Sequence, residues 1–196
     1  MRMHPISRLF IMITLIFQGV TANAALVNLD LNDFFADPAV SVSPDGSSAT
    51  INEDPSFSFV LLSNDPGLGD PNILNAQPDV GVAFDFNFVE AANGNDQFRA
   101  FLTDDAGNGL GGAFNLTLNN SLSGSALFNL SGFVGQTLGL TFQLSSLPGD
   151  IDFSSFVEIS NLRLQTVVTS VSEPHVALLL IPFFAAIGMS RNRKSH

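Results

Sequence analysis

The chain of 196 residues contains no Cys, no Trp and no Tyr. Without cysteine there is no disulfide, so an exported domain built from it must rely on a packed core. The three histidines, His4, His175 and His196, lie in the terminal segments, as does the one lysine, Lys194. The body between them therefore lacks the usual base near neutral pH. Ser-His-Asp and Cys-His arrangements, His-ligated zinc and a Schiff-base lysine are all excluded there. Positive charge is scarce too. From Ala25 to Ser170 the chain carries 17 acidic residues against two basic ones, Arg99 and Arg163. Such a body is repelled by nucleic acid and by anionic lipid, and it attracts divalent cations. Paired carboxylates are the one catalytic device left, as in a glycosidase acting at acid pH. Sugar-cleaving clefts usually carry Trp or Tyr platforms, so the body is read as non-enzymatic.

What is present begins with an export signal. Arg2 and Arg8 precede a short apolar run from Leu9 to Val20, and Ala22-Asn23-Ala24 fits the small-x-small cleavage pattern with Ala25 as the new N-terminus. Residues 1–24 are thus a signal peptide, 25–168 a body and 169–196 a tail.

The body reads as strands throughout. In "DVGVAFDFNFV" Val80, Val82, Phe84, Phe86 and Phe88 fall on one face, with Gly81, Ala83, Asp85 and Asn87 on the other. That period of two marks a half-buried strand. It recurs in "AFNLTLN" and "TLGLTFQLSS", with weaker candidates near 26, 39, 48, 57, 97, 125 and 155. Gly, Asn, Asp and Pro clusters separate them. Ten short strands without a helix predict an all-β sandwich of jelly-roll type, flanked by an N-terminal signal helix and a short C-terminal membrane helix. Fifteen of the 19 Phe lie in the body and are the natural core filler, with Phe133 and Phe153 off the pattern as candidates for exposure. "VEISNLRL" breaks parity between Ile159 and Leu162, which predicts a bulge at Ser160-Asn161.

Oxygen-rich loops suggest a hard cation. "NDPGLGDPN" offers Asp65 and Asp70, "DDAGNG" offers Asp104 and Asp105, and "PGDID" offers Asp150 and Asp152. Two readings stand: a structural Ca²⁺, or turns that use Asp and Asn for their own geometry. None matches an EF-hand or a glycine-rich nonapeptide repeat.

The tail is a second signal. After Ser172-Glu173-Pro174 comes an apolar run from Val176 to Met189, 14 residues with Pro182 inside, and then Arg191, Arg193 and Lys194. As a helix the run spans roughly 21 Å, short of a hydrocarbon core of about 30 Å. Pro182 weakens it further, and the cations hold the C-terminus on the cytoplasmic side. Such a segment is suited to a pause in the membrane, with Glu173-Pro174 near the outer surface.

This layout resembles the PEP-CTERM sorting signal of exopolysaccharide-producing Gram-negative bacteria. Glu173 and Pro174 match the last two positions of the Pro-Glu-Pro motif, and Ser172 stands where the first Pro is usual. The resemblance covers about the last 25 residues. It implies export through the Sec machinery, processing by the membrane-embedded transpeptidase exosortase, and delivery to the cell surface or extracellular matrix, in association with exopolysaccharide. "GQTLGLTFQLSS" followed by "VEISNLRL" is similar to the closing strands of carbohydrate-binding-like jelly rolls, where the last strand often carries Asp-Asn in place of Ser160-Asn161. That likeness implies a second reading, a secreted glycan-binding module with or without Ca²⁺.

Overall fold

A computed structural model describes residues 26–68 and 74–167. The expectations placed on Ala22, Ala24, Ala25, Asp70, Ser172, Glu173, Pro174, Arg191, Arg193 and Lys194, and both terminal helices, lie outside the described residues. Twelve strands follow in chain order: β1 Leu26–Asn28, β2 Phe35–Ala36, β3 Val40–Val42, β4 Ser48–Asn52, β5 Phe59–Ser63, β6 Leu74–Asn75, β7 Val80–Val89, β8 Asp96–Thr103, β9 Asn115–Leu118, β10 Leu122–Asn129, β11 Thr137–Ser146 and β12 Phe156–Thr166. Between them the described residues form short 3₁₀ turns and no α-helix.

The strands build two antiparallel sheets of six, an all-β sandwich. One has the order β10-β7-β12-β4-β3, with β1 also on β12; the other has β2-β5-β11-β8-β9, with β6 also on β11. From β4 onward the chain repeatedly crosses between them: β4 to β5, β6 to β7, β7 to β8, β9 to β10, β10 to β11 and β11 to β12. The alternation read in the sequence sets which side chains face inward. Val82, Phe84, Phe86 and Phe88 of β7 are buried, and so are Leu138, Leu140, Phe142 and Leu144 of β11. The two sheets meet through Phe84 and Phe142, whose rings contact edge to face with centroids 4.9 Å apart.

The bulge is where parity placed it. The register of β12 against β7 shifts between Ser160 and Arg163, and Asn161 has φ 53°. Val157, Ile159 and Leu162 are all buried as a result. The other neighbour of β12 changes at the same point, from β4 up to Ser160 to β1 from Arg163. Asn161 Nδ2 donates to Asp85 Oδ2 at 2.7 Å, and Ser125 Oγ donates to Asp85 Oδ1 at 2.5 Å, so one carboxylate on β7 ties both neighbouring strands. These two bonds, with Arg163 nearby, hold the Asp85 carboxyl below the usual carboxylate range.

The phenylalanines divide. Seven are buried, but Phe35, Phe57, Phe59 and Phe153 are 44–55% exposed, so Phe is not simply core filler here. Phe133 is half-buried, its ring edge-to-face with Phe114 at 4.9 Å.

Candidate functional site

Three carboxylates converge at one end of the sandwich. Glu53 follows β4 in the first sheet, Asp96 opens β8 in the second, and Asp150 lies in the connection from β11 to β12. One oxygen of each lies within 4.8 Å of the others, the only such group among the described residues. Backbone bonds hold the segments together there. Glu53 N donates to Ser155 O at 3.1 Å, Leu147 N to Asn95 O at 2.8 Å, and Ser146 N to Ser58 O at 3.2 Å.

Each carboxylate is fixed by one oxygen and left open at the other. Ser146 Oγ donates to Glu53 Oε1 and Ser155 Oγ donates to Asp96 Oδ2, both at 2.5 Å. Ser155 Oγ in turn accepts from Ala91 N at 2.8 Å, which fixes the direction of its proton. Asp150 Oδ1 accepts from the amides of Asn95 at 3.3 Å and Asp152 at 3.1 Å. The second oxygens, Glu53 Oε2, Asp96 Oδ1 and Asp150 Oδ2, are sealed from solvent and accept from no hydroxyl or amide. Asp96 is 1% exposed and Glu53 9%. Gly94 packs directly on this group: a β-carbon there would lie 2.6 Å from Asp96 Oδ2.

Full ionisation of this cluster is costly. Two unit charges 4.8 Å apart repel by roughly 3.5 kcal/mol at an effective dielectric constant near 20. Burial accordingly pushes the Glu53 carboxyl up to about 8, helped by its hydrogen bond to Asp150 and opposed by the Ser146 hydroxyl. Burial also raises Asp96, against the Ser155 hydroxyl. Asp150 moves the other way, held down first by the hydrogen bond from Glu53. Without a cation, Glu53 keeps its proton at neutral pH and donates it to Asp150. A bound cation supplies the alternative compensation.

Of the loop carboxylates singled out by sequence, Asp150 joins this cluster, and Asp65, Asp104, Asp105 and Asp152 do not. Asp65 Oδ1 accepts from Gly67 N at 2.7 Å, Asp104 Oδ1 from the amides of Ala106 and Asn108 at 3.0 and 2.8 Å, and Asp152 Oδ1 from Ser154 Oγ at 2.7 Å. These are turn-forming bonds. The Asp65 and Asp104 turns abut through Gly67 and Gly107, and Asp105 is exposed. Glu53 and Asp96 escaped the sequence reading because each sits at a strand end, far from Asp150 in the chain, outside any Asp-rich loop.

A second feature is the outer face of the β2-β5-β11-β8-β9 sheet. Cross-strand register aligns Phe35, Ser63, Thr141, Phe101 and Asn115 in one row, Leu61, Gln143, Arg99 and Thr117 in the next, and Phe59, Ser145 and Gln97 in a third. The small residues Ser63, Thr141 and Ser145 are buried beneath their larger neighbours. The Arg99 guanidinium lies 4.8 Å from the Phe101 ring centroid, and Gln97 Nε2 donates to Asn119 Oδ1 at 2.8 Å. Half-buried Arg and Gln side chains thus stand beside exposed phenyl rings. A further recess, of ≈ 190 Å³, lies by the bulge between Asn28–Asp30, Asp45–Ser47 and Asn161–Leu162.

No protein-family model matches the chain, and no curated protein matches it. Solved structures do. The carbohydrate-binding module TmCBM61, in complex with β-1,4-galactotriose, is 11% identical with a TM-score of 0.40, over 73% of this chain and 88% of that one. CBM29-2, of the family 29 carbohydrate-binding modules, is 15% identical with a TM-score of 0.41, over 74% and 92%. The secreted serine protease VesC from Vibrio cholerae is 13% identical with a TM-score of 0.44, over 66% of this chain and 23% of the protease, so the match spans under a quarter of that protein.

Proposed function

We propose that this is a non-enzymatic protein of the cell surface or extracellular matrix, exported and then sorted by exosortase through its C-terminal tail, in association with exopolysaccharide. One observation carries the reading: Glu173-Pro174, a 14-residue apolar run and a terminal basic cluster follow in order, at the far end of a chain that opens with an export signal. The body adds support, because it has no His, Cys, Lys or Tyr to run a reaction. The unpaired oxygens of its carboxylate cluster are closed to solvent, and the cluster is narrower than the gap of about 5–10 Å that a glycosidase leaves for its sugar. Mass spectrometry of native secreted material tests the proposal. A mature chain that starts near Ala25 and ends near Glu173 is expected; intact tail in the extracellular fraction overturns it.

A second reading, glycan binding by the sandwich, is favoured by the outer face described above. Sugars are held by hydrogen bonds to their hydroxyls and by contact of their C–H faces with flat apolar groups. Arg99, Gln97 and Gln143 offer the first, and Phe35 and Phe59 the second. Retention on the producer's own polysaccharide, reduced in Arg99→Ala and Phe59→Ala, is expected. Silence on a glycan array, with and without Ca²⁺, removes this reading.

A further inference from the structure

We propose that Glu53, Asp96 and Asp150 bind one divalent cation, Ca²⁺ by its chemistry, and that this ion clamps the two sheets together at one end of the sandwich. The cluster alone would not carry this, since acidic groups gather in many loops. What carries it is the state of the second oxygens. Asp96 is 99% buried and Glu53 91% buried, and each presents one oxygen that meets neither solvent nor a hydroxyl or amide, in a group whose third member does the same. Buried carboxylate oxygens are normally paired. Here every nearby donor, Ser146 Oγ, Ser155 Oγ and the amides of Asn95 and Asp152, is spent on the opposite oxygen. The donors orient the three carboxylates and leave their second oxygens without a hydroxyl or amide.

The donor set selects the ion. It is all oxygen and all carboxylate, with no His or Cys in the described residues to favour zinc or copper. The three open oxygens supply half of the six to eight that Ca²⁺ takes at about 2.3–2.6 Å, and the partnered oxygens of the same carboxylates, each with a lone pair to spare, supply the rest by bidentate contact. Two oxygens across such an ion stand about 5 Å apart, and the three here lie within 4.8 Å. Mg²⁺ demands a tighter octahedron, keeps several of its own waters, and fits a sealed three-carboxylate pocket poorly.

The position gives the ion its role. Glu53 follows a strand of the first sheet and Asp96 begins a strand of the second, while Asp150 sits on the connection that passes between the sheets. A cation held by all three crosslinks what a disulfide would crosslink in an exported domain that had cysteine.

Calcium alone is the probe. The full chain, freed of metal with a chelator, is titrated calorimetrically and followed by thermal unfolding with Ca²⁺, with Mg²⁺ and with chelator. At about a hundredfold excess over Kd, Ca²⁺ should raise Tm by roughly 5–10 °C. Glu53→Gln keeps the side-chain volume and should abolish the rise while the circular dichroism of the folded state is retained. Asp96→Asn gives a second variant with the same expectation, and Asp152→Asn, on the same loop, should respond like the parent. Absence of heat and of any Tm shift at millimolar Ca²⁺ overturns the proposal and leaves a shared proton as the compensation. An undiminished shift in Glu53→Gln places the ion elsewhere and overturns it equally. A response to Mg²⁺ as large as that to Ca²⁺ overturns the choice of ion.

Discussion

In chelator, the protein should lose stability as the pH rises from about 5 to about 9. The perturbation acts on Glu53, whose carboxyl has an ordinary value of 4.5 and is pushed up to about 8 by burial in the fold. The folded state therefore holds a proton that the unfolded chain has already released across that interval. The stabilisation is complete below the unfolded value and is lost as the pH climbs through the folded one. Each unit between them is worth about 1.4 kcal/mol, so the loss from Glu53 has an upper bound on the order of 4–5 kcal/mol. Asp96 is raised too, chiefly by burial, and adds to the loss in the same direction. Asp150 is lowered, and its contribution is lost only as the pH falls below its ordinary 3.8, outside the interval. Asp152 and Asp54, next to the cluster in sequence, are partly exposed and make turn bonds of their own.

A loss of that size is large against a total of about 5–15 kcal/mol for a domain. The chain carries no Trp, so urea unfolding is followed by far-ultraviolet circular dichroism. With a slope of about 1–3 kcal/mol per molar urea, the midpoint should fall by roughly 2 M between the two pH values. Glu53→Gln, a neutral stand-in for the protonated acid, should flatten the dependence and keep the stability of the low-pH protein. A parent midpoint that stays level, or rises, across this range in chelator would show that the cluster does not share a proton as described.

Two other outcomes follow from the packing. Phe84→Ala removes a fully buried ring that touches Phe128 and Phe142, and should cost about 3–5 kcal/mol in urea unfolding; a cost below about 1 kcal/mol would mean that the two sheets do not meet there. Asn161→Gly keeps the positive φ but removes the donor to Asp85, at about 1 kcal/mol. Asn161→Val meets the left-handed backbone as well and should cost about 1–2 kcal/mol more; equal costs for the two would argue against the bulge geometry.

How much of this the sequence carries depends on the range over which each feature is encoded. Alternation is local, so β7 and β11 are legible from their own residues. The bulge is legible because one slipped residue in "VEISNLRL" moves Leu162 to the face that Val157 and Ile159 occupy. β2 and β6 are two residues each and too short to show a period. Phe153 stands out as an exposed ring because it falls off the alternation, whereas Phe57 and Phe59 are hidden for a different reason. In "FSFVLLS" both parities are apolar, and only the pairing of Val60 with Leu144 turns Phe59 outward. The carboxylate cluster is the least local of all. Asp150 is conspicuous in an Asp-rich loop, yet Glu53 and Asp96 read as ordinary strand-end residues until the sheets are stacked. Their environment depends on serines 93 and 59 residues away, Ser146 and Ser155, which take one oxygen each. A site made this way has no motif to find: its signature is the three buried oxygens left over once every nearby hydroxyl and amide has been assigned.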